Sequence, residues 1–320
     1  MRRRHLLLGA LAAPAFARTA RAADKVRVAI FNVASALPFY TARERGFFAE
    51  QGIEAEGTKL QTNPLIVQAL VSGDADACSN LVTLEIANIN VRRSDSVLLF
   101  AVNGQNAEHR MEQFVVGPRS RAKTLADLRG ARILSAPGPA NTSAAKAVLA
   151  AVGLQEGRDY TITEQPMGVH VGALQSGQFD AGYTLEPVGT IGVRAGAMRR
   201  LEAGVIATHL LRRPEAYAWA SGAGFTGQFL ARNPDAAKRY AAAWAKALQS
   251  IRTDPSTRAY LTQFMDTPEE LARDLPLQDY TMVRDLTPQD RADFQKFVDL
   301  AVQQGVVQKP VDIGTFLRPL

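Results

Sequence analysis

Hydrophobic and polar positions alternate along this chain in a way that predicts strands followed by helices. Residues 26–31 form an apolar run that is typical of a buried strand, and residues 32–37 form the loop after it. A helix is expected from Pro38 to Gly52 with Ser35 as its N-cap, because proline suits the first turn of a helix and glycine its end. A strand, a loop and a helix N-terminus in this order place a ligand at the carboxyl edge of an α/β sheet.

The same pattern continues along the chain and then begins again. Apolar runs predict strands, and the helices between them carry the Gly, Ser, Asn and Pro residues that start and end helices. The predicted strands cover residues 53–60, 75–79, 97–103, 113–116, 131–135, 160–164, 179–184 and 217–231. The predicted helices cover residues 64–72, 81–92, 123–130, 144–152, 170–176, 186–195 and 236–252. From 254 to 320 we expect helices, one of them at 276–283, and no strong strand.

Strands that alternate with helices indicate parallel sheets covered by helices, and 320 residues exceed a single ordinary core. The segments 69–77 and 173–181 share a pattern in which a helix ends at glycine and Asp-Ala enters a strand. One copy lies in each half, as two α/β lobes of similar construction would require. We predict that residues 23–112 and 222–320 form lobe 1 and that residues 113–221 form lobe 2.

The net charge of +6 is concentrated at the N-terminus. Five arginines stand before Ala22 with no acidic residue among them, which leaves +1 for the rest of the chain. A body this close to neutral gives no electrostatic support for binding nucleic acid or an anionic membrane. The basic start, the apolar run 6–16 and the small residues before Ala22 predict an export signal over residues 1–22, and Arg3-Arg4 fits the twin-arginine type. Cys78 is the single cysteine, so no internal disulfide forms, and we expect a packed, inert thiol.

Several phrases of the sequence resemble one family. They are Leu-Pro-Phe-Tyr at 37–40, Ala-Arg-Glu-Arg-Gly-Phe-Phe at 42–48, the two Leu-x-Ser-Gly-x-x-Asp-Ala segments, Thr-Leu-Ala-Asp-Leu-Arg-Gly at 124–130, Glu186-Pro187 and Asn-Pro-Asp-Ala at 233–236. The chain resembles the periplasmic solute-binding proteins of ABC importers for nitrate, aliphatic sulfonates, taurine and thiamine-pyrimidine precursors. The resemblance implies an α/β, type II periplasmic binding protein with two doubly wound lobes joined by two hinge strands, near 111–115 and 219–227.

Candidate ligand-binding residues lie mainly in the loops between strands and helices. Both sheets would direct these loops into one cleft, where helix N-termini favour an anionic or polar ligand. Each Ser or Asn there can equally serve only as a helix cap. The candidates are Ser35, Phe39, Tyr40, Asn63, Ser79, Asn80, Ser135, Asn141, Thr142, His170, Thr184 and Glu186.

Further side chains could border this cleft. Aromatic residues at the cleft could stack on a flat ligand or pack as ordinary core; they are Phe39, Tyr40, Tyr183, Trp219 and Phe225. His109 and His170 lack the further ligands that a metal site needs, so we predict no metal site. The cleft loops contain no arginine, and Arg110 is the nearest one. An anion would therefore be held by dipoles and hydroxyl groups or by Arg110; otherwise the ligand is a neutral or heteroaromatic compound.

The resemblance implies a monomeric periplasmic protein that captures a small solute by hinge closure and delivers it to a membrane permease with its ATPase. The solute classes that fit are sulfonates, nitrate, small aromatic carboxylates and pyrimidine-like compounds. A ligand-sensing module for a receptor would use the same fold. A thiamine-pyrimidine-synthase-like enzyme is a third hypothesis, but its cysteine-rich motif is missing from a chain with one cysteine. We expect no catalytic residues and no cofactor, because hydrolase, phosphate-loop and zinc-protease motifs are absent from the sequence.

Overall fold

The computed structural model describes residues 23–320, and the predicted export signal lies outside the described residues. Eleven strands occur in this part of the chain. They are β1 (Asp24–Phe31), β2 (Ile53–Leu60), β3 (Ala77–Val82), β4 (Val97–Gln105), β5 (Glu112–Val116), β6 (Arg132–Ser135), β7 (Thr161–Glu164), β8 (Ala181–Leu185), β9 (Arg199–Ala203), β10 (Ala218–Thr226) and β11 (Asp279–Met282).

Twelve α-helices accompany these strands within residues 23–320. They are α1 (Leu37–Glu44), α2 (Phe47–Glu50), α3 (Asn63–Ser72), α4 (Thr83–Arg92), α5 (Pro139–Ala151), α6 (His170–Ser176), α7 (Val188–Arg194), α8 (Gly227–Arg232), α9 (Pro234–Thr253), α10 (Ala259–Met265), α11 (Glu269–Ala272) and α12 (Pro288–Gln303). A π-helix covers Ile206–Leu211. No helix in the described part of the chain is both long enough and apolar enough to span a membrane.

The strands form two separate sheets. The first has the order β11-β4-β10-β3-β1-β2, and the second has the order β7-β6-β8-β5-β9. Strands β1, β2 and β3 are parallel, as are β6, β7 and β8, whereas β5 and β10 run antiparallel to their neighbours. The chain leaves the first sheet after β4, builds the second with β5 to β9 and returns with β10. The carboxyl ends of both parallel sets are therefore available to one space between the sheets.

The repeated sequence pattern has one structural role in both sheets. Asp76 accepts hydrogen bonds from the backbone N–H of Arg27 at 3.0 Å and from its guanidinium at 2.7 and 2.9 Å. Asp180 accepts the same set from Arg132, at 2.9 Å from the backbone and 3.0 Å from the guanidinium. In each lobe the aspartate thus ties the strand that follows a glycine-ended helix to the neighbouring parallel strand.

Several local predictions are wrong, including three in the first sheet and its helices. The helix expected from Pro38 to Gly52 is interrupted at Gly46, whose φ of 72° is left-handed, so α1 ends and α2 begins there. The return strand ends at Thr226, whose hydroxyl caps α8 by accepting from the Phe229 N–H at 3.2 Å. The helix expected at 276–283 is instead occupied by β11, because this segment completes the edge of the first sheet beside β4.

Helix α9 covers the first sheet through an aromatic cluster. The rings of Phe100 and Phe225 stack at a centroid distance of 4.8 Å, and Tyr240 and Trp244 meet Phe100 edge-on at 5.8 and 5.5 Å. Cys78 is also buried in this lobe, and burial raises the pKa of its thiol to about 12. The thiol therefore has the inert character that the sequence predicts.

Candidate functional site

A narrow cavity of about 40 Å³ lies between the two sheets. A cavity of roughly 10–15 Å³ holds one water molecule, so this one has room for a small solute. The first sheet and its helices contribute Phe31, Val33, Ser35, Asn80, Val82, Leu84, Gln105, Ala220, Ser221 and Phe297. The second sheet, its helices and the chain that leads into it contribute Met111, Glu112, Ala140, Asn141, Ala144, Tyr183, Leu185 and Ile206.

Asn80 holds the first-sheet wall of the cavity in place. Its Oδ1 accepts hydrogen bonds from the Phe31 N–H at 3.1 Å and from the Ser79 hydroxyl at 2.6 Å. Its Nδ2 donates to the Phe31 carbonyl at 2.8 Å and to the Ser35 hydroxyl oxygen at 2.8 Å. All four hydrogen-bonding positions of the amide are thus used inside the protein, so Asn80 shapes the site rather than offering a free group to a ligand.

Two hydroxyl groups on the same wall keep their hydrogens available. Ser35 Oγ accepts from Asn80, and Ser221 Oγ accepts from Asn103 Nδ2 at 3.0 Å. A hydroxyl that accepts a hydrogen bond can still donate its own hydrogen. The first-sheet wall therefore presents hydrogen-bond donors to the cavity. Gln105 lies beside them, and its Oε1 accepts from Gln278 at 3.3 Å.

Glu112 is the charged group of the second-sheet wall. Its side chain is buried, with 1% of the residue exposed. Oε1 accepts a hydrogen bond from the Ile206 N–H at 3.2 Å, and Oε2 has no protein partner. Burial raises the pKa of this carboxyl to about 7, although the backbone N–H groups of Ile206, Glu112 and Val205 act in the opposite direction. An orphaned buried oxygen costs about 1–3 kcal/mol, and this one stands at a cavity where a ligand can satisfy it.

The N-terminus of α5 enters the same region, but the protein's own carboxylates occupy it. Glu164 accepts from the Gly138 N–H at 3.1 Å and from the Thr142 hydroxyl at 3.0 Å. The Ala140 backbone, at the same helix N-terminus, lowers the pKa of Glu85 from the first lobe, but burial has the larger effect and raises the pKa of that carboxyl. The positive end of this helix is therefore already neutralised.

Three of the twelve predicted site residues line the cavity: Ser35, Asn80 and Asn141. Ser35 lies within a short 3-10 turn and does not cap α1 by a side-chain hydrogen bond. Asn141 donates to the Pro137 carbonyl at 2.8 Å. The other nine do not line this cavity; they are Phe39, Tyr40, Asn63, Ser79, Ser135, Thr142, His170, Thr184 and Glu186.

Two of these nine form a buried pair in the second lobe. His170 Nδ1 lies 2.9 Å from Thr184 Oγ1, and Nε2 lies 3.1 Å from the Gln165 carbonyl oxygen. Because a carbonyl can only accept, Nε2 carries the proton, and Nδ1 accepts from the threonine hydroxyl. Burial lowers the pKa of His170 to about 4, so the ring is neutral at neutral pH.

Glu186 is buried in a different cluster. It accepts from Gln113 at 2.8 Å, from the Thr190 hydroxyl at 2.9 Å and from Arg110 at 3.3 Å. Its backbone carbonyl accepts from the Ala34 N–H at 3.2 Å, which joins the two lobes. Arg110 is thus committed to Glu186 and does not line the cavity.

The remaining predicted residues stabilise local structure. Tyr40 stacks on Phe264 at a centroid distance of 4.4 Å and has a buried hydroxyl without a protein partner. Phe39 packs against it inside the first lobe. Asn63 is the first residue of α3 rather than its cap; the Thr62 hydroxyl caps the helix, and Asn63 Oδ1 accepts from the Val82 N–H.

Two further pairs also serve as internal contacts. Ser135 and Thr142 join through their hydroxyls at 3.2 Å, and Ser79 donates to Asn80 from within β3, which continues to Val82. His109 lies 3.0 Å from the Leu277 carbonyl oxygen, so it too is held by the protein.

Of the aromatic candidates, Tyr183 lines the cavity, while Trp219 and Phe225 do not. The sequence reasoning missed Glu112, Gln105, Ser221 and the apolar residues around them. A signal was present for Glu112, since a carboxylate directly before the predicted strand 113–116 is unusual in a buried strand. Within residues 23–320, no cluster of His, Cys, Asp and Glu could hold a metal ion.

A protein-family model described as "NMT1/THI5 like" matches residues 34–258. No curated protein sequence matches the chain. Among solved structures, the aliphatic sulphonate binding protein SsuA from Escherichia coli is 17% identical with a TM-score of 0.71, and the match covers 92% of this chain and 97% of that one. The nitrate-binding protein NrtA from Synechocystis PCC 6803 is 16% identical with a TM-score of 0.75 over 93% and 86% of the two chains.

The alkanesulfonate-binding protein SsuA from Xanthomonas axonopodis pv. citri, bound to MOPS, gives a similar result. It is 17% identical with a TM-score of 0.73, covering 92% of this chain and 98% of that one. At these identities the likeness shows the fold and leaves the ligand open. It confirms the predicted α/β fold of the periplasmic binding-protein type.

Proposed function

The chain belongs to the NMT1/THI5-like family, and from this premise we propose that it is the periplasmic substrate-binding component of an ABC importer. In this role it captures a small solute and delivers it to a membrane permease with its ATPase. The family match agrees with the resemblance that the sequence motifs indicate. We further propose export through residues 1–22 by the twin-arginine route, a monomeric state and a non-enzymatic role.

The observation that carries this proposal is the cavity between the two sheets. Its walls come from both sheets, with Ser35 and Ser221 on the first-sheet side and Glu112 and Leu185 on the second-sheet side. The first lobe would comprise residues 23–112 and 222–320, and the second 113–221. Because β5 (Glu112–Val116) pairs with the second sheet and β10 (Ala218–Thr226) pairs wholly with the first, both boundaries of this division fall within strands.

A ligand in this position drives closure for a thermodynamic reason. A solute that touches both walls makes more contacts in the closed state than in the open one, so its binding shifts the population toward the closed state. The backbone contact between Ala34 and Glu186 already joins the lobes in the structure. A permease can then distinguish the closed, loaded form from the open form by its surface.

The test uses the full chain, expressed with its own N-terminus and purified from the periplasm. Sulfonates, nitrate, aromatic carboxylates and pyrimidine-like compounds are screened by thermal shift, and each hit is followed by X-ray scattering. We expect at least one class to raise the melting temperature and to reduce the radius of gyration.

A matched pair of variants on α5 locates the site. Ala144 lines the cavity, and Ala150 is exposed on the same helix. Ala144→Phe should abolish the shift, whereas Ala150→Phe should preserve it. If Ala144→Phe binds as well as the wild type, the cavity is not the site. If no class changes either the melting temperature or the scattering, the proposed role fails.

A further inference from the structure

The proposed function leaves the ligand class open, and the carboxyl of Glu112 bears directly on it. Glu112 is the first residue of β5, and its side chain forms part of the cavity wall. One oxygen is held by the Ile206 N–H, while the other is buried without any protein donor. Buried carboxylate oxygens in proteins are normally paired, so this unpaired acceptor is a recognition feature.

The charged surroundings of Glu112 are sparse. Tyr183, on β8, is the titratable group that faces it from the neighbouring strand, and burial raises the pKa of that phenol well above its ordinary value. On β9, Arg200 Nε donates a hydrogen bond to Gln113 Oε1 at 2.5 Å. Glu202 Oε1, on the same strand, lies 2.6 Å from Nε2 of His209 in the π-helix.

The helices that border the cavity add no charge to it. Helix α5 contributes Ala140, Asn141 and Ala144, and α12 contributes Phe297. Among the described lining residues there is no Lys, Arg or His. A sulfonate, nitrate or carboxylate would therefore meet a carboxyl without a compensating cation, and the α5 N-terminus that could have held an anion is already occupied by Glu164.

The opposite wall has the complementary polarity. Ser35 and Ser221 each accept a hydrogen bond from an amide and retain a hydrogen to donate. Much of the remaining lining is apolar, including Phe31, Leu185 and Ile206. The cavity thus offers an acceptor on the second-sheet side, donors on the first-sheet side and an apolar space between them.

Resting on the proposed function, we propose that Glu112 anchors the ligand, which is a small compound with an apolar body and a nitrogen-bound hydrogen that donates to Glu112 Oε2. An acceptor atom on the far side of the same compound receives the hydroxyl hydrogens of Ser35 and Ser221. A protonated amine and a neutral heteroaromatic N–H share this chemistry. An anion does not fit it.

The test compares small probes of opposite character on the full, exported chain by calorimetry. Isobutylamine and 2-aminopyridine supply N–H donors; propanesulfonate, nitrate and benzoate are the anions. We expect saturable binding of at least one N–H probe and none of the anions at the same concentration. Binding of isobutylamine alone indicates a cationic ligand, and preference for 2-aminopyridine indicates a flat N–H donor.

Two variants assign the effect to the carboxyl. Glu112→Gln keeps the shape of the side chain and removes the charge, and it should weaken isobutylamine binding at least tenfold. Tyr240→Phe is the matched control, because it removes a buried hydroxyl without a protein partner from the first-lobe core, away from the cavity. It should leave binding unchanged.

The affinity for isobutylamine should also depend on pH, which it would not do if Glu112 had only a structural role. With the pKa of Glu112 raised to about 7, the ionised fraction rises about tenfold between pH 6 and pH 8, and isobutylamine, which stays protonated, should bind about tenfold more tightly at pH 8. Glu112→Gln should lose this dependence.

The outcomes separate the two proposals. If propanesulfonate or nitrate binds and closes the protein, and its affinity is the same for wild type and Glu112→Gln, the ligand-class inference is overturned. The importer role stands in that case. The ligand-class inference is also overturned, again without loss of the importer role, if an N–H probe binds equally to wild type and Glu112→Gln. Absence of binding and closure with every probe rejects both proposals.

Discussion

Replacing Glu112 by Gln should stabilise the ligand-free protein at high pH and not at low pH. In the folded state burial raises the pKa of this carboxyl from 4.5 to about 7. The unfolded chain therefore loses the proton between about pH 4.5 and 7 while the folded protein retains it, so the free energy of unfolding falls as the pH rises through this window. The destabilisation is complete above pH 7 and absent below pH 4.5.

The size of the effect follows from the shifted pKa. At about 1.4 kcal/mol per pH unit, the rise to about 7 corresponds to a destabilisation of about 3 kcal/mol at pH 8. Gln carries no ionisable proton, so Glu112→Gln should remove all of it. Any fixed difference between the two side chains, such as a changed hydrogen bond to Ile206, is the same at both pH values and cancels in the comparison.

Urea unfolding at pH 4.5, 6 and 8, followed by far-UV circular dichroism, measures this directly. The difference in unfolding free energy between Glu112→Gln and wild type should grow by about 3 kcal/mol from pH 4.5 to 8. Tyr240→Phe serves as the control and should show a difference that does not change with pH. A constant difference for Glu112→Gln would refute the assignment of an uncompensated buried carboxyl.

Three further predictions concern the scaffold. The pKa of His170 is lowered to about 4 in the folded protein, so between pH 6.5 and 4 the unfolded chain binds a proton that the folded protein does not. The wild type should therefore lose about 3 kcal/mol of unfolding free energy over this range, and His170→Gln should not show this loss. Acid titration followed by ellipticity measures the difference. Asn80→Ala should cost about 2–5 kcal/mol in urea unfolding, since it orphans the buried N–H and carbonyl at the end of β1. Gly204→Ala should lower the melting temperature far more than Gly196→Ala: both have a left-handed φ, but only at Gly204 would the added carbon overlap the Ala107 backbone nitrogen.

The sequence by itself determined the alternation of strands and helices. Strands β1, β6 and β8 lie close to where apolar runs predict them, because a buried parallel strand must be apolar on both faces. The repeated Asp-Ala pattern also correctly indicated two similarly built halves, since Asp76 and Asp180 make the same contacts to an adjacent strand. These features depend on local periodicity and short motifs, which the order of residues contains directly.

Local signals failed where a neighbour decides the structure. Strand β11 forms because β4 offers it an edge, and Ser79 and Asn80 continue β3 rather than starting a loop because β10 pairs with the strand as far as Val82. In each case the local sequence is also compatible with the predicted helix or loop. Hydrogen bonds to a strand that is distant in the sequence stabilise the strand conformation instead.

The polar character of the site was decided by tertiary structure alone. Asn80 and Glu112 are both buried polar residues on strands at the cavity, and their local sequence does not show which of them keeps a hydrogen-bonding atom without a protein partner. Phe31 at the end of β1, together with Ser35 and Ser79, uses every hydrogen-bonding position of the Asn80 amide. Glu112 Oε1 accepts from the Ile206 N–H, whereas its Oε2 has no partner in the protein. Which of two buried polar groups remains available to a ligand depends on the backbone that packs against it, and that is a property of the assembled fold.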